Sequence, residues 1–317
     1  MAYFLQLLFA SFILSSALAL AGCSDEQRMD AGQAQTSTDQ MEILKYNGYV
    51  TAANVSSGAF GKALEQHVQT VSKQLQDDGP IERYDVVPVH QVTNIKRKLD
   101  EAVARQGSIP ELDGPARDYA AAVAAFEPVN NGLSNYAASK GYLADGGKKA
   151  REEDGKFVES LQKVSDAEAT FFDNIEKRDE RLTREAYEKA PAGSLERFRV
   201  GAVIHAKAAM KKADTIFLSP DDAESRSQFA SSLNEMATMV EGWDTKIREK
   251  KPEGCPALQG NFNSVIAGGR KALQNAEQGR YKVSSNADSV MMQYEYNSLR
   301  GNFAMMISNL NAPHICS

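Results

Sequence analysis

Histidine, cysteine and tryptophan are scarce: four, three and one in 317 residues. None of the histidines, His67, His90, His205 and His314, has a glutamate three residues before it, so the E-x-x-H pairs of di-iron helical bundles are lacking. No H-E-x-x-H, G-x-S-x-G, P-loop or G-x-G-x-x-G occurs. Sustained apolar–polar alternation is missing too. Its nearest approach, "DVVPVHQV" at 85–92, carries Pro88, which a central strand does not tolerate. Nor is there a basic excess: 36 Lys and Arg against 42 Asp and Glu give a net charge of −6. Clusters such as Lys96-Arg97-Lys98 sit among acids, as on a solvated helix face, so no nucleic-acid partner is expected. No catalytic residue, metal ligand or cofactor site is recognisable.

What the chain does have is helical periodicity. Phe229, Leu233, Met236, Val240, Trp243 and Ile247 repeat an alternating four–three spacing without a break, and so do Met292, Tyr296, Leu299, Phe303, Met306 and Leu310. Phe157, Leu161, Val164, Phe171, Ile175 and Leu182 follow the same rule, with Glu168 and Arg178 interrupting it. Such stripes belong to helices packed at shallow angles. Glycine- and proline-rich breaks at 77–80, 107–115, 141–147, 190–194, 218–222, 250–256 and 279–285 divide the pattern into about eight helices. Ser219-Pro220-Asp221-Asp222 reads as a helix start. The expectation is an all-α, elongated antiparallel bundle over 41–317, in one piece or as two sub-bundles with a seam near 141–147. His67 falls on an inward stripe with Leu64 and Val71 and is expected to be a partly buried structural residue.

The N-terminus has its own logic. Residues 3–22 carry no charge and end in Leu20-Ala21-Gly22-Cys23, which resembles the bacterial lipobox. That resemblance implies cleavage between Gly22 and Cys23, removal of 1–22, and a membrane anchor through acyl chains on Cys23. The alternative is an uncleaved signal anchor, and the following stretch, "SDEQRMDAGQAQTSTDQ", lacks the basic cluster of a stop-transfer flank. Ser24, where Asp would signal retention at the inner membrane, implies the outer membrane of a bacterial envelope, with the protein facing the periplasm. Residues 23–40 read as the lipidated cysteine and a flexible tether.

With Cys23 acylated, Cys255 and Cys316 remain, one just before a helix near 257–279 and the other just after one near 284–311. If these helices form an antiparallel hairpin the two thiols meet, and a disulfide there would be structural. Two free thiols are the alternative.

Three short motifs carry a further resemblance. "KYNGYVTAAN" (45–54) holds Tyr46, Asn47 and Asn54; "NYAASKGYLADGGKKA" (135–150) holds Tyr136, Tyr142 and Asp145; "YEYNSLRGN" (294–302) holds Tyr296 and Asn297. With the lipobox, these resemble the YiiG-like lipoproteins, a bacterial envelope family of uncharacterised function. Ala144 and Ala304 depart from its pattern. The residues themselves read as a seam between the first and last helices pinned by Asn and Tyr, with a polar ligand pocket as the alternative. Together these readings predict a lipid-anchored binding or scaffolding module without enzymatic activity. Its partner would be another envelope protein, peptidoglycan or a small ligand. A carboxylate-based cell-wall hydrolase and a solute-capture lipoprotein are the other classes.

Overall fold

The computed structural model describes residues 29–76, 79–282 and 286–311, and these are helical nearly throughout, with no strand among them. Eight helices of 15 residues or more account for most of the chain, as the stripes predict. The chain divides into two compact units between Arg178 and Asp179.

The first unit comprises α1 (Met29–Ser56), α2 (Ala59–His67), a π turn (Val68–Ser72), α3 (Lys73–Gln76), α4 (Val89–Val103), α5 (Pro110–Ala138), α6 (Gly141–Ala144) and α7 (Lys148–Lys189) as far as Arg178. Residues 79–88 form an irregular strap between α3 and α4. The core is an aromatic spine: Phe60 meets Tyr119 and Phe126 edge-on at 6.2 and 5.6 Å, and Phe171 on α7 meets Tyr49 on α1 at 5.9 Å. Edge-to-face packing of this kind adds to the apolar area the rings bury.

The second unit contains the end of α7, then α8 (Leu195–Leu218), α9 (Ala223–Arg248), α10 (Pro256–Glu277) and α11 (Asn286–Leu310). Short connections join α8 to α9 and α10 to α11, so each pair packs as antiparallel neighbours. The entire 229–247 stripe is buried here. Gly269 lets α10 approach α9 closely, since a Cβ there would stand 2.7 Å from Leu233 Cδ1.

Several expectations are corrected. The division falls inside the uninterrupted α7, whereas the glycine-rich stretch 141–147 lies within the first unit. α1 starts at Met29, so 29–40, read as tether, is helical; the segment carries Ala, Gln and Met, all good helix formers. α5 starts at Pro110 and continues through Pro115 and Pro128, so 107–115 is only partly a break. The cap of α9 is Asp222, whose Oδ1 accepts from the Glu224 and Ser225 N–H groups, while Ser219 closes α8. Leu182 is exposed, whereas the interrupting Glu168 and Arg178 are buried.

Candidate functional site

A cavity of about 330 Å³ opens in the first unit where the end of α1, α2, the π turn and residues 85–88 of the strap converge on α7. Its floor is apolar, formed by Val71, Phe157 and Leu161, all fully buried. Ser56 and His67 stand at the same depth, and Lys62, Gln66 and Gln91 line it nearer solvent.

Each strong polar group at the floor is held by a protein partner. His67 Nδ1 lies 3.1 Å from the Asp85 carbonyl oxygen, and Nε2 lies 2.7 Å from Asp154 Oδ1. A carbonyl only accepts, so Nδ1 carries a hydrogen, and both nitrogens are engaged. Ser72, at the end of the π turn, donates to the other Asp154 oxygen at 3.2 Å. A π turn sacrifices regular helical bonding, which makes its position at the cavity wall noteworthy. The strap is fixed from α5: Asn130 Nδ2 donates to Val87 O at 2.8 Å, and its Oδ1 accepts from Val87 N at 3.0 Å.

Ser56 belongs to a second network. Its hydroxyl donates to Glu168 Oε1 and lies 2.6 Å from Tyr119 Oη, which donates to the same Oε1 at 3.0 Å. Glu168 Oε2 accepts from the N–H groups of Phe60 and Gly61 at 3.1 and 3.2 Å. Burial pushes the Glu168 carboxyl above its ordinary range, against the opposing pull of the donors from Ser56, Gly61, Tyr119 and Phe60. Burial and the neighbouring Glu168 also raise the Tyr119 phenol.

A third network lies between α1 and the start of α5. Buried Lys45 donates to the Arg105 and Gly107 carbonyls, each at 3.1 Å, and stands 3.4 Å from Asp113 Oδ1. Tyr49 donates to Asp113 Oδ1 at 2.6 Å, and the Ile109 N–H donates to Asp113 Oδ2 at 3.0 Å. Burial alone would raise the Asp113 carboxyl, but these donors and the Lys45 charge outweigh it and hold it below its ordinary range.

The residues singled out by sequence are distributed as follows. Tyr46 is buried, with the Arg178 guanidinium 5.3 Å from its ring centre; Arg178 also pairs with Glu42 and Glu111. Asn47 Oδ1 is buried and has no hydrogen-bond partner among the described residues, while Asn54 is exposed. Tyr136, Tyr142 and Asp145 do come together. The first two rings are 6.3 Å apart, and the Tyr136 hydroxyl donates to Asp145 at 2.9 Å. Asp145 also accepts from the Gly147 and Lys149 N–H groups at the start of α7. Burial and this bond push the Tyr136 phenol up to about 12. In the second unit Tyr296 donates to Asp214 at 2.6 Å and receives a bond from Arg300, and Asn297 is exposed. Tyr46 and Asn47 belong to the first unit, Tyr296 and Asn297 to the second. None of these tyrosines or asparagines lines the cavity.

His67 is buried as expected, while His205, half-buried on α8, has its pKa lowered by burial. His90 is exposed. Cys255 is buried at the start of α10; Gly22, Cys23, Cys316 and His314 lie outside the described residues. No group of three potential metal ligands occurs among the described residues, and no helix among them is long and apolar enough to cross a membrane.

Sequence reasoning missed Ser56, Asp154, Tyr119 and Asn130. The signal for Glu168 was present, as a charge standing on a core-facing register.

Comparison with curated proteins and with solved structures finds no match to this chain. One family model, described as a protein of unknown function (DUF3829), matches residues 40–312, which takes in both units from α1 to the end of α11. The chain belongs to the DUF3829 family.

Proposed function

We propose that this chain is an envelope lipoprotein of the YiiG-like type, anchored in the outer membrane through acyl chains on Cys23 and facing the periplasm. Its helical domain is a binding module without catalytic activity, and the cavity of the first unit is its binding site. The anchor rests on the Leu20-Ala21-Gly22-Cys23 motif. The binding-site reading rests on one observation: the nitrogens of His67 and the hydroxyl of Ser56, the strongest polar groups at the cavity floor, are consumed by Asp85, Asp154, Glu168 and Tyr119. These groups are turned to protein partners rather than to the cavity. What these groups leave is a container with an apolar floor and a polar rim. In this reading Cys255 and Cys316 form a disulfide that staples α10 to α11.

Two measurements test the proposal. Palmitate labelling is expected to mark the chain and to vanish in Cys23→Ala; label surviving in that variant overturns the anchor. Native mass spectrometry of the protein released from membranes is expected to show an adduct that Ala63→Phe, which projects into the cavity from α2, removes. An adduct indifferent to that change, or none, overturns the binding site.

A protein partner is the second reading. Val290, Met291, Tyr294 and Met305 on α11 are all more than half exposed, an apolar set that an envelope protein would cover. Crosslinking in cells to one recurrent partner, lost in Tyr294→Asp, would favour it.

A further inference from the structure

The outer face of α11 is unlike that of its neighbours. Every exposed residue of α11 whose side chain is described is uncharged. Glu295 and Arg300, the charges in the middle of the helix, turn to Lys271 and Asp214 of the same unit. By contrast α9 exposes Glu224, Glu235 and Glu241, and α10 exposes Arg270, Lys271 and Glu277. In a chain of net charge −6, an uncharged face is where two copies can meet without bringing like charges together.

That face also has a period. Met291, Tyr294, Ser298, Gly301, Met305 and Ser308 are all exposed and follow a three–four–three–four–three spacing. This is the spacing of a coiled-coil seam. It runs on the side of α11 away from Tyr296, Leu299 and Phe303, which are buried within the unit. The helix therefore carries two seams, one filled by its own unit and one without a neighbour.

The spacing of the open seam reads the same in both directions about a midpoint between Ser298 and Gly301. Two copies laid antiparallel about that midpoint set Tyr294 opposite Met305, Ser298 opposite Gly301, and Met291 opposite Ser308. The ring meets a thioether, and the small central pair lets the two backbones approach. A parallel pair would stack Tyr294 on its own copy and set Gly301 against Gly301, leaving a void. With Val290 beside the seam, the four large apolar side chains, each more than half exposed, offer roughly 500 Å² per copy, so a pair covering them and the small residues between removes about 1,000 Å² in all, the least a specific interface needs. Resting on the protein-partner reading above, we propose that the outer face of α11 receives a second copy of this chain, paired antiparallel about the midpoint between Ser298 and Gly301.

The test is disulfide capture in intact cells that co-express two full-length chains, one carrying Tyr294→Cys and the other Met305→Cys, under a membrane-permeant oxidant. A crosslinked dimer is expected from the mixture and from neither variant alone. Ser298→Glu in both chains is expected to reduce capture about tenfold, since it places two carboxylates at the centre of the seam. Adding Gly301→Lys is expected to restore it, because each new ammonium then faces the partner's new carboxylate. A Cβ at Gly301 meets nothing within 4 Å, and circular dichroism of the purified variants checks that the helices persist. No capture from the mixture overturns the proposal, as does equal capture from either variant alone, or a loss in Ser298→Glu that Gly301→Lys does not repair. A recurrent envelope protein crosslinked through Tyr294 without self-capture would keep the protein-partner reading and overturn the second copy alone. Flotation with phosphatidylglycerol vesicles that Tyr294→Asp abolishes, again without self-capture, would assign the face to a lipid surface and overturn both.

Discussion

Asn130 grips Val87 by both of its main-chain polar groups, donating at 2.8 Å and accepting at 3.0 Å. The amide imitates one rung of a β-ladder and ties the strap at 79–88 to α5. Asn130→Ala leaves a buried N–H and a buried C=O unpaired, at an expected cost of about 2–4 kcal/mol. Denaturant unfolding gives the magnitude, and hydrogen exchange at Val87 gives the place. Exchange no faster than in the wild type would show that the strap is held by other means.

Glu168 is a test of charge. Its folded-state pKa lies above the ordinary 4.5, so the stability it contributes is complete below that value and is lost as pH rises through the folded value. Glu168→Gln does not titrate. Its carbonyl accepts from the Phe60 and Gly61 N–H groups while its amide donates to Ser56 and Tyr119. At pH 7 this variant is expected to equal or exceed the wild type in stability, and Glu168→Ala to fall about 3 kcal/mol below it. Equal losses in the two variants would show that the donors require an ionised carboxylate.

Asp113 has the opposite sign. Held below the ordinary 3.8, it contributes stability above that value, and the contribution disappears as pH falls through the folded value. Asp113→Asn is expected to cost about 2–3 kcal/mol at pH 7, since it strands the buried Lys45 charge, and to flatten the acid limb of the stability profile. An acid limb of unchanged steepness in the variant would move its origin to other carboxylates.

Gly147 sits at φ +80° in the turn before α7, where an added Cβ would lie 2.0 Å from Ile81 Cδ1. Ile81 is itself buried and cannot yield. Backbone strain and overpacking together set the expected loss for Gly147→Ala at about 2–4 kcal/mol. Ile81→Ala should relieve the overpacking part, so the double variant is expected to lose less than the sum of the singles. Additive losses would assign the whole effect to the backbone.

The helical architecture was legible because the stripe from Phe229 to Ile247 repeats without a break, and all six of its residues are buried. His67 was legible for the same reason. Glu168 and Arg178 were visible only as faults in a stripe, although Glu168 follows Val164 by four residues and precedes Phe171 by three, a core position. Their partners were hidden by distance along the chain. Ser56 lies 112 residues from Glu168, and Glu42 lies 136 from Arg178. No local pattern encodes such pairings. The unit boundary was hidden for a different reason: α7 passes through it with no Gly or Pro near 178. The motif tyrosines drew notice by their chemistry, yet the cavity is built from ordinary valines, alanines and glutamines.

The α1–α2 junction has a consequence in time. α2 follows Gly58 at φ +68° with no side-chain cap of its own, and two of its opening N–H groups are satisfied by Glu168, 108 and 107 residues further along. A nascent chain that has emerged only as far as α5 therefore holds α2 without its terminator. Closing so long a loop comes late in folding, after local helices have formed. The cavity wall that α2 and the π turn provide is thus among the last parts of the first unit to be made, and it waits on the arrival of α7.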